Sequence, residues 1–378
     1  MRRIKVCHLI TELGPAGAER CVYNLASRLD RDKFVSQVIA LRGGAVRDWM
    51  VRAGIDVSVL GVRNRFDLPR LKDLVGILRR SRVDILHTHL FHADLAGRLG
   101  AYLSAVPHLV HTVHTAEGRF RPWQFAFARM FADGCDRIIC VSESAKAFHA
   151  RRSGLPDRRY SVIPNGVDLE YLRRDEQVRQ TTRRQWGLDE STPLAAYLGR
   201  LDYEKGLDTL LSAMAHLAGR GRAMHLVIAG DGPGRGQIEN FIAHNEGGKF
   251  CRFLGFVEDI RPVLWSADLL VMPSRWEGFG LSAAEAMAGA LAVVAARVPG
   301  LSDVVVHEQT GLLVEPGNAV ELAEAMVALA GDAERRNRFA RAGRERAEQY
   351  FEIGRMICSH ERLYEAICAI SLGKANLV

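Results

Sequence analysis

Glu277 and Glu285 stand eight positions apart in EGFGLSAAE, with Gly278 and Gly280 between them and an alanine-rich helical pattern beyond. A strand-like run, LLVMPS, precedes them and ends at Ser274. Glycines at a strand tip let the chain turn tightly, and the free N–H groups of a helix starting near Leu281 suit an anion. Glu285 has a plainer reading too, because Ser282-Ala-Ala-Glu285 has the form of a capping box in which the glutamate only answers a backbone amide. Upstream, PLAAYLGR places Gly199 and Arg200 at another strand tip, and Lys205-Gly206 follows just before a helical pattern. Two cations beside a second helix start suit a diphosphate, although an exposed Arg and Lys in a loop are commonly just solvated. Gly230-Asp231-Gly232-Pro233 closes the next strand and by itself marks only a turn.

The elements that must carry these loops are legible as a rhythm. IKVCHLIT, VSQVIAL, IDVSVLG, VDILHTH, HLVHTVH, RIICVS and YSVIPNGVD are short apolar runs separated by helical patterns such as AERCVYNLASRL and LKDLVGILRRS. This alternation predicts a parallel sheet covered by helices. After a polar, charge-rich segment from Leu169 to Glu190 the rhythm restarts with PLAAYLGR, MHLVIAG, CRFLG, LLVMPS, LAVVAA and GLLVEP. The expected fold class is therefore α/β, with two doubly wound, Rossmann-like parallel-sheet domains. Residues 1–167 form the first, 168–354 the second, and a final helix over 355–378, containing MICSHERLYEAICAI, returns to the first. Open parallel sheets bind ligands beyond the carboxyl ends of their strands, so the expected site is the cleft between the two domains.

A chain of 378 residues with 48% hydrophobic and 25% charged residues is long enough for two cores and has no low-complexity block or repeat. The seven cysteines include no C-x-x-C pair or zinc-type spacing, which predicts reduced, mostly buried thiols. MRRIKVCHLITELG reads as a first strand rather than a signal peptide, and no run is long enough to span a bilayer, so the expected location is cytoplasmic. The charge is uneven. Residues 1–165 hold 27 Lys and Arg against 15 Asp and Glu, a net +12 that leaves −5 for the remainder of the overall +7. One domain should therefore face something anionic.

GPAGAER, ILHTH, TVHT, VSES, IPNGVD, LGRLDYEKG, AGDGP, FLGFV, ADLLVMPSRWEGFGLSAAEAMAGA and GLLVEPGN follow one another in an order that resembles the retaining glycosyltransferases of family 4, which have the GT-B fold. The resemblance runs over essentially the whole chain. It implies that the second domain holds a nucleotide-diphosphate sugar, UDP-linked in preference to GDP-linked. Glu285 would then hydrogen-bond the ribose and Glu277 would face the donor sugar. Arg200 and Lys205 would neutralise the diphosphate, next to Gly199, while Gly278, Phe279, Gly280 and Leu281 would bind phosphate and sugar through backbone amides. In the first domain Gly17 would approach the diphosphate and His114 of TVHT would contact the donor sugar, with His89 and Thr115 on the acceptor side. A strand-end histidine tied to backbone is the plainer alternative for His89 and His114. The two glutamates are then not the acid and nucleophile of a glycosidase, where carboxylates flank the scissile bond. The barrier falls instead as charge building on the leaving phosphate meets prearranged cations and amides. No metal or other cofactor is expected, since no Asp-x-Asp element accompanies the donor motifs. Where the family often has Gly-Gly followed by Glu, this chain has Pro299-Gly300-Leu301-Ser302-Asp303, which puts that contact in doubt.

The acceptor is expected to be a glycan or lipid-linked precursor, with peripheral contact to an anionic membrane. The segment 118–131 combines Arg119, Arg121 and Arg129 with Phe120, Trp123, Phe125, Phe127 and Phe131, and a second basic helix runs from Leu68 to Arg82. Rings and cations together suit a membrane interface, and equally a helix packing its aromatic face on its own domain. No nucleic-acid-binding signature is present. Two other readings remain: a catalytically inactive sugar-nucleotide binder, and an epimerase on the same frame. A phosphorylase would need a lysine-anchored pyridoxal phosphate, and a dinucleotide oxidoreductase the absent G-x-G-x-x-G.

Overall fold

The computed structural model describes residues 2–64, 67–115, 120–222 and 224–375. The chain divides into two compact units, Met1–Gly166 with Gly354–Val378, and Val167–Ile353. In the first, seven parallel strands, β1 (Ile4–Ile10), β2 (Phe34–Ala40), β3 (Asp56–Val59), β4 (Ile85–His89), β5 (His108–Val113), β6 (Arg137–Cys140) and β7 (Tyr160–Val162), lie in the order β3-β2-β1-β4-β5-β6-β7. In the second, β8 (Leu194–Leu198), β9 (His225–Ala229), β10 (Cys251–Gly255), β11 (Leu269–Met272), β12 (Ala292–Ala296) and β13 (Gly311–Val314) lie in the order β10-β9-β8-β11-β12-β13. Every apolar run read from the sequence is a strand, because strands covered by helices on both faces must be apolar throughout. β8, β11, β12 and β13 are buried along their whole length. The two sheets are α/β and Rossmann-like.

The strand orders reverse between β1 and β4 in the first unit and between β8 and β11 in the second. At such a switch point the flanking loops diverge and leave room for a ligand at the carboxyl ends. These are the tips that lead to Gly17, His89, Arg200 and Glu277.

The charge-rich segment after Leu169 departs from its reading as a polar stretch. It contains a helix, Glu176–Gln185, in which Arg179 and Arg183 are buried. Arg179 Nη1 donates to the carbonyls of Trp265, Ser266 and Ala267 at 3.1, 2.8 and 3.0 Å, and Nη2 pairs with Asp268 at 2.9 Å. The arginines satisfy carbonyls left open where the helix Arg261–Ser266 ends. All seven cysteines are free, and Cys7, Cys21, Cys135 and Cys140 are buried. Among the described residues no helix is long and apolar enough to cross a membrane.

Candidate functional site

In the second unit, Gly199 and Arg200 follow the end of β8, and the segment from Ser274 to Gly280 follows β11. Lys205 sits in a 3₁₀ turn, Tyr203–Lys205, and its Nζ donates to Glu277 Oε1 at 2.6 Å. Both side chains are largely enclosed, with 18% and 10% of their surface exposed. Ser274 Oγ donates to the same carboxylate oxygen at 3.0 Å. Arg200 is half-exposed and pairs with Glu204 at 2.6 Å and more distantly with Asp202 at 3.6 Å. Its carbonyl accepts from the buried Tyr197 hydroxyl at 2.8 Å, and burial holds that phenol well above its usual pKa, so it stays a donor. The turn is pinned from the other side by Arg275, whose backbone N–H donates to Glu204 O at 2.7 Å and whose guanidinium reaches Tyr203 O at 2.8 Å. Residues 72 positions apart in sequence are thereby fixed as one cluster of two cations and their carboxylates.

Two glycines make this approach possible. Gly206 has φ +66°, and a Cβ on it would lie 2.1 Å from Pro273 O. Gly300 has φ +86°, and a Cβ there would lie 2.6 Å from Glu277 O. Each loop carrying a charged residue is thus pressed against backbone where only hydrogen fits. Gly206→Ala is expected to cost about 1–3 kcal/mol through left-handed strain alone, and more through the clash. Melting temperature and turnover should fall together. A variant melting within about 1 °C of the native chain with native turnover would show that the loop adjusts freely.

The helix Leu281–Ala288 opens at Gly280, whose φ of +92° makes it the N-cap, with no side-chain cap hydrogen bond. Ser282 is therefore inside the helix rather than at its cap. This removes the capping-box reading of Ser282-Ala-Ala-Glu285, and Glu285, 7% exposed, lies one turn further along. Phe279 is buried, its ring 5.3 Å edge-on from Phe351, so its side chain anchors the loop. Leu281 is the first helical residue, and Gly278 precedes the turn.

In the first unit, Gly17 is the first residue of the helix Gly17–Arg28 that follows β1. His89 ends β4, His114 follows β5, and Thr115 comes next and borders the undescribed residues 116–119. The sheet register sets His8 of β1 beside His87 and Ile10 beside His89. His8 Nδ1 lies 3.2 Å from His89 Nε2, and His89 Nδ1 lies 3.0 Å from His114 Nε2. One hydrogen bond joins each pair, so the tautomer of one ring sets that of the next. His87 is held separately by Tyr364 Oη and Thr112 Oγ1, both at 2.6 Å. Burial, reinforced by neighbouring histidines, pushes His8 and His114 down to about 3 and holds His87 and His89 well below the usual value. The cluster is neutral at physiological pH. His8 Nε2 and His114 Nδ1, the two ends of the chain, are buried without a hydrogen-bond partner among the described residues.

Nitrogens of His8, His87 and His89 come within 4.8 Å of one another, a spacing that could hold a metal ion. His87 and His89 already use both nitrogens in the bonds above, so an ion would have to break them. An Asp-x-Asp sequence does occur at Asp30-Arg31-Asp32, away from the donor motifs. There Asp30 Oδ1 accepts from Asp32 N at 2.9 Å in a turn ahead of β2.

Residues 15–171 match Glycosyltransferase Family 4, and residues 178–346 match Glycosyl transferases group 1. The chain is 31% identical over 307 residues to the 2-deoxystreptamine glucosyltransferase of Streptomyces kanamyceticus, covering 76% of this chain and 79% of that one. The chain belongs to glycosyltransferase family 4. This family 4 glycosyltransferase is also 26% identical to the UDP-Gal:alpha-D-GlcNAc-diphosphoundecaprenol alpha-1,3-galactosyltransferase of Escherichia coli, with 87% and 89% of the two chains covered. Anabaena HepE, crystallised with UDP-glucose, superposes with a TM-score of 0.88 at 22% identity, covering 96% of this chain and all of that one. The fold is GT-B.

His8, His87, Tyr364 and Ser274 were missed by sequence reasoning. HTH at 87–89 carries a faint signal, since alternate strand residues share a face. Nothing local shows that His8 joins them from another strand, or that Tyr364 comes 277 residues later. Of the basic-aromatic segment, Gly118 and Arg119 lie outside the described residues. Phe125 is buried against Phe148 and His149, while Trp123, Met130 and Phe131 are exposed. The segment therefore packs one face on its own unit, one of the two readings expected of it, and leaves the other face exposed.

Proposed function

We propose that the glycosyltransferase moves a hexose from a UDP-sugar, or second a GDP-sugar, to a hydroxyl of a lipid-linked or polysaccharide-precursor glycan, with retention of anomeric configuration and without a metal ion. The observation that carries this reading is the enclosed Lys205–Glu277 pair beside Arg200 at the reversal of strand order between β8 and β11. The relative named for UDP-Gal and a diphosphoundecaprenol acceptor, and the structural neighbour bound to UDP-glucose, support the donor and acceptor classes.

In this mechanism the bond between the anomeric carbon and the β-phosphate oxygen breaks, and nucleoside diphosphate leaves. Arg200 and Lys205 meet the charge that grows on it, and the backbone amides from Gly278 to Leu281 add a fixed positive field. The acceptor oxygen bonds to the same face of the anomeric carbon, and its proton passes to the departing phosphate. Glu277 holds the donor sugar while orienting Lys205, and Glu285 holds the ribose. Gly17 admits the diphosphate without a side chain in the way. His114, its tautomer set through His89 and His8, serves the sugar hydroxyls, with His89 and Thr115 on the acceptor side.

The test is melting of the purified protein against UDP, GDP, ADP and their sugar conjugates, with and without chelator. A ligand at about 100 times its Kd adds about 2.7 kcal/mol to the native state. One nucleotide is expected to stand out, unaffected by chelator, and Glu285→Ala is expected to weaken its binding at least tenfold, about 1.4 kcal/mol for a lost ribose contact. If no nucleotide raises the melting temperature, the nucleotide-sugar transferase reading falls; binding without turnover favours the inactive sugar-nucleotide binder. A response that appears only with a divalent ion overturns metal independence.

A further inference from the structure

The first unit contains a cavity of about 1250 Å³ that none of the strand-tip residues above lines. Leu41, Leu60, Leu74 and Leu109, all buried, form its floor. Its walls come from the helices Phe91–Ser104 and Pro122–Met130, through Leu95, Leu99 and Phe127. Leu68, Tyr102 and Met130 stand on its rim, 71%, 84% and 75% exposed. The lining is predominantly apolar. Arg42, Arg63 and Arg70 lie along one side of the lining, where Arg42 pairs with Glu12 at 3.2 Å and Arg70 with Asp73 at 3.0 Å. These are exposed pairs, weak enough to exchange a carboxylate for a phosphate, which the guanidinium fork fits as well. The carboxylates of the lining are already engaged: Asp67 accepts from Arg63 N at 3.1 Å, Asp136 accepts from Leu109 N at 2.9 Å, and Asp133 pairs with Arg159. Arg98, the remaining cation, is buried and tied to Asp94 at 2.9 Å.

We infer that this cavity binds the hydrocarbon chain of an anionic lipid, with the lipid phosphate held at Arg42, Arg63 and Arg70. An apolar lumen with cations at one side matches an amphiphile, whereas a sugar would leave its hydroxyls unpaired against leucine and phenylalanine. The net +12 of residues 1–165 draws such a lipid from a negatively charged surface. The exposed rim residues Leu68, Tyr102 and Met130 cover the chain where it leaves the membrane. The inference stands apart from the transferase reading, because binding is measured without donor or turnover.

The experiment is calorimetric titration of the full chain with alkyl phosphates of six to twelve carbons, each below its micellar concentration. Alkyl glucosides of equal length and inorganic phosphate are the comparison ligands. Affinity is expected to rise by about fourfold per methylene, the fold-change that corresponds to burying one CH₂. The glucosides should bind at least tenfold more weakly, and inorganic phosphate alone should not compete. Leu99→Trp, which fills the lumen from a partly exposed wall position, should abolish the chain-length dependence. Arg42→Glu with Arg63→Glu, both at the surface, should remove the preference for phosphate and leave the chain-length dependence in place. Anionic vesicles should then retain the native chain and release both variants. Affinity independent of chain length, equal affinity for glucosides, competition by inorganic phosphate, or indifference to Leu99→Trp in a normally melting protein would each overturn the inference. Vesicle-independent capture of an amphipathic peptide in place of the alkyl chain would likewise assign the cavity to a protein partner.

Discussion

Lys205→Ala is expected to lower kcat by about 10²–10³-fold, the loss that follows removal of one prearranged charge from a developing anion. The geometry gives the reason. Lys205 Nζ is enclosed and 2.6 Å from Glu277 Oε1, so its position is set before any donor arrives. Removing it takes away a cation and leaves the Glu277 carboxylate with the Ser274 hydroxyl donating to it, a negative charge facing an incoming diphosphate. Both effects act in the same direction. Lys205→Arg should recover part of the loss, because the charge returns but the bulkier, flat guanidinium does not fit the same enclosed bond. Arg200→Ala is expected to cost less, since that side chain is half-exposed and water screens it. Steady-state kinetics across the three variants decide the matter, with melting temperatures as the control. A well-folded Lys205→Ala enzyme turning over like the native chain would take Lys205 out of the leaving-group role and leave the Glu277 pair a structural contact.

The first unit is expected to lose stability steeply as pH falls from about 6.5 towards 4, and to be insensitive to pH above about 7. His8 is pushed down to about 3 and His360 to about 4, in both cases chiefly by burial. Below 6.5 the unfolded chain binds protons at these sites while the folded chain does not, so stability rises with pH through that window. Each histidine contributes a slope of about 1.4 kcal/mol per pH unit. These two alone amount to about 5 kcal/mol by pH 4.5, a large share of an ordinary domain's stability. His87, His89 and His114 act in the same sense, with burial again the main cause. Denaturant titrations at pH 5 and pH 7.5, with fluorescence following each unit, measure the slope. His8→Asn should flatten it even if that variant is less stable overall. Stability unchanged from pH 7.5 to pH 5 would mean that the imidazoles take up protons in the folded state, which a sealed cluster could not do.

Most of the fold was legible because it is written locally. A short apolar run bounded by turn residues reads as a strand, and Gly280 marked a turn whose left-handed backbone favours glycine. The same local reading failed where two local codes coincide. Ser282-Ala-Ala-Glu285 has capping-box spacing, but the left-handed Gly280 starts the helix two residues earlier. Likewise, residues 176–185 read only as part of a polar, charge-rich segment, whereas Arg179 and Arg183 are buried on carbonyls of Trp265 and Ser266, more than 80 residues away. Of the candidate site, Arg200 and Glu277 were legible as loop residues after strands, Lys205 as lying just before a helix and Glu285 as lying in a helical pattern, while their expected roles came from the family resemblance.

By itself the sequence determined the α/β class, the thirteen strands, the loops at their carboxyl ends and the helix starting at Leu281, because each depends on residues within a few positions of one another. Only the tertiary structure decided which strands are neighbours, and therefore where strand order reverses. It joined Lys205 to Glu277, set His8 against His89, brought Tyr364 to His87, and opened a lipid-sized cavity behind the helices of the first unit. Those contacts are made between surfaces distant in the chain, where packing and register choose among partners that local chemistry leaves equivalent.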